Sequence, residues 1–238
     1  MCISKKVLII VIGCLLSVAC FADEIVVISW NVESGGADPG VVAGQMAAMD
    51  GVDLWGLCEV DGQAWAQQFE VGAETGEPGD FNSVLGTTGS SDRLLILYDN
   101  QQFTEVDSFE ISWANRPWYT PSMRPRSALV VRLIHNGTNQ EFFFMVNHLY
   151  RGSGVDPRRL DQAAYLRQWA RQQTIPVIAV GDYNFDWDLD PSDCEENYDK
   201  GLGAMTVCGL NVFLIHGHTL HKTSLSSSGI VSFASMKS

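Results

Sequence analysis

VIAVGDYNFD, residues 177–186, is the stretch from which the rest of the chain is read. Ile175 to Val180 (IPVIAV) is an apolar run of strand length, rich in β-branched residues, and fits a strand buried on both faces. It stops at Gly181, and Asp182 and Asn184 follow at once. A carboxylate and an amide directly after a buried strand stand where sheet proteins build their sites.

Upstream, Asp156-Pro157 supplies a helix N-cap and first turn. Leu160, Ala163, Leu166, Trp169 and Ala170 then keep one apolar face up to Gln173. Before that helix, Ser127 to Ile134 and Glu141 to Asn147 flank His135-Asn136-Gly137-Thr138. Asn-Gly between two apolar runs predicts a hairpin, because both residues tolerate positive φ.

Toward the N-terminus, Glu24 to Trp30 reads as a strand, Val41 to Met49 as a helix and Val52 to Val60 as a strand. Gln63 to Phe69 reads as a helix leading into a Gly-rich, solvated loop, after which Arg93 to Tyr98 and Gln102 to Ile111 are strands. The expected fold is α/β, with mixed or mainly antiparallel sheets covered by helices.

The chain has 238 residues, 46% hydrophobic and 18% charged, which suits one large core and excludes a disordered polymer. Lys5-Lys6, the apolar run Val7 to Leu16 and small residues through Ala22 follow the order of a secretory signal peptide. That run falls short of the ~20 residues a bilayer span needs. Residues 1–22 are therefore expected to be a signal, 23–222 the domain, and the Ser-rich residues 223–238 a poorly ordered tail. The expected destination is the periplasm or the extracellular space, with no transmembrane segment after cleavage. Val11-Ile12-Gly13-Cys14 offers a lipoprotein alternative, with a lipid on Cys14.

Cleavage removes Lys5 and Lys6 and no acid, so the formal charge of −13 becomes −15. This argues against a broad basic face for polyanions and leaves room for a local arginine cluster. Of Cys58, Cys194 and Cys208, the last two are the expected disulfide pair.

Four apolar runs end in polar residues: Asn31 after IVVISW, Glu59 after LWGLC, Asn147-His148 after FFFMV, and Asp182 with Asn184 after VIAVG. Carboxylate and amide oxygens suit a hard cation such as Mg²⁺ (or Mn²⁺ or Ca²⁺), with Glu59 and Asp182 as the metal ligands. A histidine beside such an ion can bind phosphate or move a proton, and His148 fits that role.

ISWNVES (28–34), LWGLCEV (54–60), VNHLYRG (146–152) and VIAVGDYNFD (177–186) together resemble, in order, the motifs of the endonuclease/exonuclease/phosphatase superfamily. Its members include deoxyribonuclease I-like enzymes and sphingomyelinases. The resemblance implies a four-layer α/β/β/α fold, a two-sheet β-sandwich flanked by helices. It also implies metal-dependent hydrolysis of phosphodiesters, nucleic acid being the leading substrate class.

Carried onto this chain, the resemblance makes Asn31 an orienting and substrate-binding residue, Glu59 a metal ligand and His148 a contact of the scissile phosphate. Asp182 would orient or deprotonate the attacking water, and Asn184 would hold phosphate or metal. Arg126, in RPRSAL, resembles the arginine that packs beside the site, and Arg93 is a second match; either could neutralise phosphate charge.

The pattern also demands a final Ser-Asp-His, and no Asp-His follows Asn184. The fold is therefore expected to be incomplete at its C-terminal end. Two alternatives follow: an inactive member that binds a phosphate-bearing or protein partner, and a nonfunctional fragment. His216, His218 and His221 are read as loop residues. Trp113, Trp118 and Tyr119 around Arg116 are read either as a substrate platform or as packing. Asp186, Asp188, Asp190 and Asp193 read as a solvated turn.

Overall fold

The computed structural model describes residues 25–76, 79–123, 125–152 and 156–184, and the backbone of three later strands at 212–216, 221–225 and 231–235. The expected signal, the Cys194–Cys208 pair and the acidic run after Asn184 lie outside the described residues. No helix among the described residues is long and apolar enough to cross a membrane.

β1 (Val26–Asn31), α1 (Pro39–Met46) and β2 (Leu54–Val60) form the expected β-α-β opening, with β1 and β2 parallel. Asp38 starts α1: its carboxylate accepts from the main-chain N–H of Gly40 and Val41, and Pro39 follows it. α2 (Gln63–Gly76) runs further than expected, because Ala73 extends the buried face begun by Ala66 and Phe69.

The segment read as a Gly-rich solvated linker holds β3 (Phe81–Leu85), an edge strand antiparallel to β4 (Arg93–Asp99). Its sequence, FNSVL, is short and half polar, as an edge strand can be, and this hid it. β5 (Phe103–Ile111), β6 (Ala128–His135), β7 (Gln140–His148), α3 (Pro157–Arg171) and β8 (Val177–Asp182) follow as expected. The β6–β7 hairpin is antiparallel, but its turn differs from the expected one: Asn139, at φ 56°, takes the left-handed conformation instead of Asn136 or Gly137. His135 pairs with Gln140, so four residues make the loop and its last one needs the positive φ.

Three strands lie where the sequence suggested loop and tail: β9 (Val212–His216), β10 (His221–Leu225) and β11 (Val231–Ser235). β9 is parallel to β8, and β10 is antiparallel to both β1 and β11. His216 and His221 thus stand at strand ends, and residues 223–225 and 231–235 of the Ser-rich stretch are paired. Serine composition concealed the alternation Val231, Phe233, Ser235.

The two sheets run β11-β10-β1-β2-β4-β3 and β5-β6-β7-β8-β9. Val27, Leu54, Ile96, Val131, Phe144 and Val180 fill the space between them. Met46, Trp55, Leu57, Phe69 and Leu95 pack α1 and α2 on the first sheet, and Val130, Met145, Leu166 and Ala179 pack α3 on the second. Strands buried on both faces explain the unbroken runs RLLILY and EFFFMV. Four layers, helix, sheet, sheet and helix, result as the resemblance implied.

β1 and β2 are parallel in one sheet, β7 and β8 in the other, and all four C-terminal ends reach the same edge of the sandwich.

Candidate active site

At that edge Asn31 closes β1 and Asp182 closes β8. Asn31 is 6% exposed and Asp182 1%. Asn31 Nδ2 donates to Glu59 Oε1 at 2.9 Å and to Asp182 Oδ2 at 3.0 Å, so one amide draws two carboxylates together. Its Oδ1 accepts from the Glu33 N–H at 3.0 Å, which fixes the direction of the amide. Glu59 sits at φ 62°, where β2 breaks register with β4 between Leu57 and Val60. That kink turns a side chain of a buried strand toward the edge.

His148 ends β7, in register with Asp182. Its Nε2 lies 3.6 Å from Asp182 Oδ2 and 3.9 Å from Glu59 Oε1. Asp182 Oδ1 accepts from the Asn184 N–H at 2.8 Å, and Asn184 Nδ2 donates to the Leu149 carbonyl at 2.8 Å. Asn184, at φ 51°, therefore folds its amide back on the β7 end. Gly181, at φ 133°, is required one step earlier: a Cβ there would meet the Asn147 carbonyl oxygen at 1.8 Å.

Asp92, which the sequence reading did not single out, completes the group. Its Oδ1 is 3.6 Å from His148 Nδ1, and its Oδ2 is ion-paired with the Arg126 guanidinium. Burial works against the Asp92 carboxylate, but the His148 ring and the Arg126 charge outweigh it and hold the carboxyl below its ordinary range. Arg126 Nε and Nη2 lie 3.5 Å from the carbonyls of His148 and Leu149. Its guanidinium thus braces the β7 end and Asp92. Arg93 stands apart, donating to the Ser90 carbonyl at 2.8 Å.

The structure brings Asn31, Glu59, His148, Asp182 and Asn184 into one group, with Arg126 beside it. The Trp113 segment lies elsewhere: Trp113 is 2% exposed and packs against Trp118 and Tyr165 on the α3 side. Cys58 is fully buried next to the group, and burial pushes its thiol well up from its ordinary value.

Carboxylates of Glu59, Asp92 and Asp182 surround His148, with Arg126 nearby. Ligand atoms of Glu59, Asp92 and His148 lie within 4.8 Å of one another. Asp92 Oδ1 and His148 Nδ1 are buried and face each other at 3.6 Å, too far for a good hydrogen bond. Converging anionic oxygens and a loosely paired buried Asp92–His148 contact fit a divalent cation, which would offset the repulsion among the carboxylates.

The profile of the endonuclease/exonuclease/phosphatase family matches residues 28–194. No curated protein matches the sequence. Among solved structures, D. rerio TDP2 humanized by 14 mutations is 20% identical, with a TM-score of 0.55, over 73% of this chain and 66% of that one. The Bacteroides thetaiotaomicron mannosyl-6-phosphatase is 19% identical, with a TM-score of 0.55, over 75% and 70%. The human nocturnin catalytic domain with bound sulfate is 17% identical, with a TM-score of 0.54, over 74% and 68%. At these identities the likeness is one of fold. The chain spans just under two thirds of the D. rerio TDP2 chain.

Proposed function

Because this chain belongs to the endonuclease/exonuclease/phosphatase family, whose members are metal-dependent phosphoesterases and nucleases, we propose that it hydrolyses phosphodiester bonds by direct attack of water on phosphorus. The observation that carries this reading is the Asn31 amide holding the Glu59 and Asp182 carboxylates beside His148.

Glu59 is the metal ligand of this proposal, with Asp182 or Asp92 as the second carboxylate, and Mg²⁺ is the ion that suits their oxygens. When bound, such an ion supplies positive charge against the negative charge that develops on the phosphoryl oxygens. Asp182 is aimed by two donors, Asn31 Nδ2 and the Asn184 N–H, and takes the proton of the attacking water. His148 donates from Nε2 to a phosphoryl oxygen, and Asn31 and Asn184 hold the frame. Arg126 acts by bracing Asp92 and the β7 end. Nucleic acid is the proposed substrate class; D. rerio TDP2 has been solved with a single-strand DNA product. Export through residues 1–22 is part of the same proposal.

The test is hydrolysis of bis(p-nitrophenyl) phosphate, DNA and RNA by the purified chain with Mg²⁺ and with EDTA, beside folded Glu59→Ala and Asp182→Ala variants. The expected result is Mg²⁺-dependent turnover that falls roughly 10²–10⁴-fold in Asp182→Ala. Absence of turnover from the folded chain on every substrate would overturn the hydrolase. It would favour the binder.

A further inference from the structure

The chain's charge is divided along its length. Residues 25–92 carry eleven acids and no lysine or arginine, whereas residues 93–171 carry ten arginines and seven acids. The first stretch builds β1, β2, β3, α1 and α2; the second builds the other sheet from β5 to β7, and α3. Most of its arginines therefore fall on the β5–β7 and α3 side, while Arg93 of β4 and Lys222 of β10 belong to the first sheet.

On that side the outer face of α3 borders a groove of about 460 Å³ lined by Arg116, Tyr165, Arg167, Gln168, Arg171 and Gln172. Among the described residues no carboxylate belongs to this lining, although Asp161 pairs with Arg116 beside it. The helix turns Ala163, Leu166 and Ala170 into the core, so the groove residues fall on the opposite face. Arg116 reaches the groove from the β5–β6 connection and is fixed there. It is ion-paired with Asp161, and its guanidinium carbon lies 4.9 Å from the Tyr165 ring centroid. Asp161 also accepts from Trp118 Nε1 at 2.7 Å, so the carboxylate faces the connection that carries Arg116.

We propose that this groove binds the phosphate backbone of a single nucleic-acid strand outside the catalytic group, an inference that rests on the phosphodiesterase reading. The planar guanidinium groups of Arg167 and Arg171 can fork onto phosphate oxygens, Arg116 being held by Asp161, and the two glutamines add neutral amide donors. α3 begins just past the β7 end that carries His148, and the groove occupies its second half. The lining residues thus lie ~10–20 Å along the helix from Pro157, at 1.5 Å rise per residue. α3 returns from the β7 end toward the start of β8, so the groove lies away from the Asp182 edge and would take phosphates several nucleotides from the scissile one.

The experiment is fluorescence anisotropy of a labelled oligothymidylate in EDTA, titrated with the full chain at several salt concentrations. An Arg167→Gln/Arg171→Gln double variant keeps helix propensity, and Arg132→Gln removes a charge from β6 as a control. The expected result is a tenfold or greater loss of affinity in the double variant only. The log-log salt slope should fall by about 1.4, from about 0.7 per lost phosphate contact on a single strand. Hydrolysis of bis(p-nitrophenyl) phosphate should be unchanged. Arginine-dependent binding without any hydrolysis would keep the groove and overturn the hydrolase reading. Wild-type affinity in the double variant overturns the groove, as does absence of oligonucleotide binding by the wild type. Arginine-dependent binding to anionic phosphatidylserine vesicles that the oligonucleotide does not compete with would assign the groove to a membrane surface, and also overturns it.

Discussion

Asn31 Nδ2 donates to Asp182 Oδ2 at 3.0 Å, tying the end of β1 in one sheet to the end of β8 in the other. The same nitrogen holds Glu59 Oε1, so Asn31 is a neutral donor bridging two carboxylates. Asn31→Ala should cost about 1–3 kcal/mol, because Asp182 loses a donor while staying buried. Asn31→Asp should be worse in EDTA, since a third anion joins the pair, and should regain much of its stability in Mg²⁺. Urea unfolding of both variants with and without Mg²⁺ checks this; a Mg²⁺-insensitive Asn31→Asp would argue against cation binding between these groups.

The N-terminus of α3 gives a pH-dependent prediction. Asp156 caps the helix, its Oδ1 accepting from the Arg158 N–H at 2.8 Å. Its carboxyl is held below the ordinary value of 3.8, chiefly by the Arg158 side chain, against a modest opposing effect of burial. A carboxyl lowered by folding stabilises the protein above its unfolded pKa, and that contribution fades as pH falls through the folded value. Asp156→Ala should therefore cost about 0.5–2 kcal/mol near pH 7, and the gap to wild type should narrow steadily below pH ~4. Asp156→Asn, which keeps the cap and drops the charge, should lie between them. A gap that stays constant down to pH 2 would mean that the charge contributes nothing.

Most of the candidate site was legible because its residues follow apolar runs. Asn31, Glu59, His148 and Asp182 each interrupt a buried strand at its C-terminal end, where the change from apolar to polar is visible in one sequence. Asp92 escaped notice because it precedes its strand. β4 is antiparallel to β2, with Arg93 opposite Val60, so the start of β4 lies at the edge where β2 ends. β6, antiparallel to β7, likewise begins at that edge, which is how Arg126 meets Asp92. It is the antiparallel β2–β4 pairing, which periodicity along one strand does not show, that marks the residues before RLLILY. The late strands were missed for a different reason: serine and threonine accept strand geometry without the apolar alternation that marks it. Similarly, Asn-Gly fixed the hairpin's place but not its turn, since a four-residue loop puts its left-handed residue at Asn139.

Gly181 tests whether close approach of backbones, and not only chemistry, dictates the G-D-x-N element. β7 and β8 pair through Asn147 and Gly181, and a Cβ at 181 would lie 1.8 Å from the Asn147 carbonyl oxygen. The φ of 133° is also unfavourable for any L side chain. Relief would require the two parallel strands to separate where His148 and Asp182 are in register, so stability and site geometry should fail together. Gly181→Ala is expected to lose at least ~2 kcal/mol. Gly56→Ala supplies the contrast: its Cβ would meet the Val180 and Val146 methyls at 2.4 and 2.8 Å, in the core between the sheets. Side chains can shift where a carbonyl cannot, and overpacking of this kind typically costs ~1–3 kcal/mol. If Gly56→Ala folds, its Mg²⁺ response should be nearly that of wild type, whereas any folded Gly181→Ala should have lost it. Thermal unfolding in Mg²⁺ and in EDTA separates the two, and an intact Mg²⁺ response in Gly181→Ala would show that the strand junction does not set the geometry of the site.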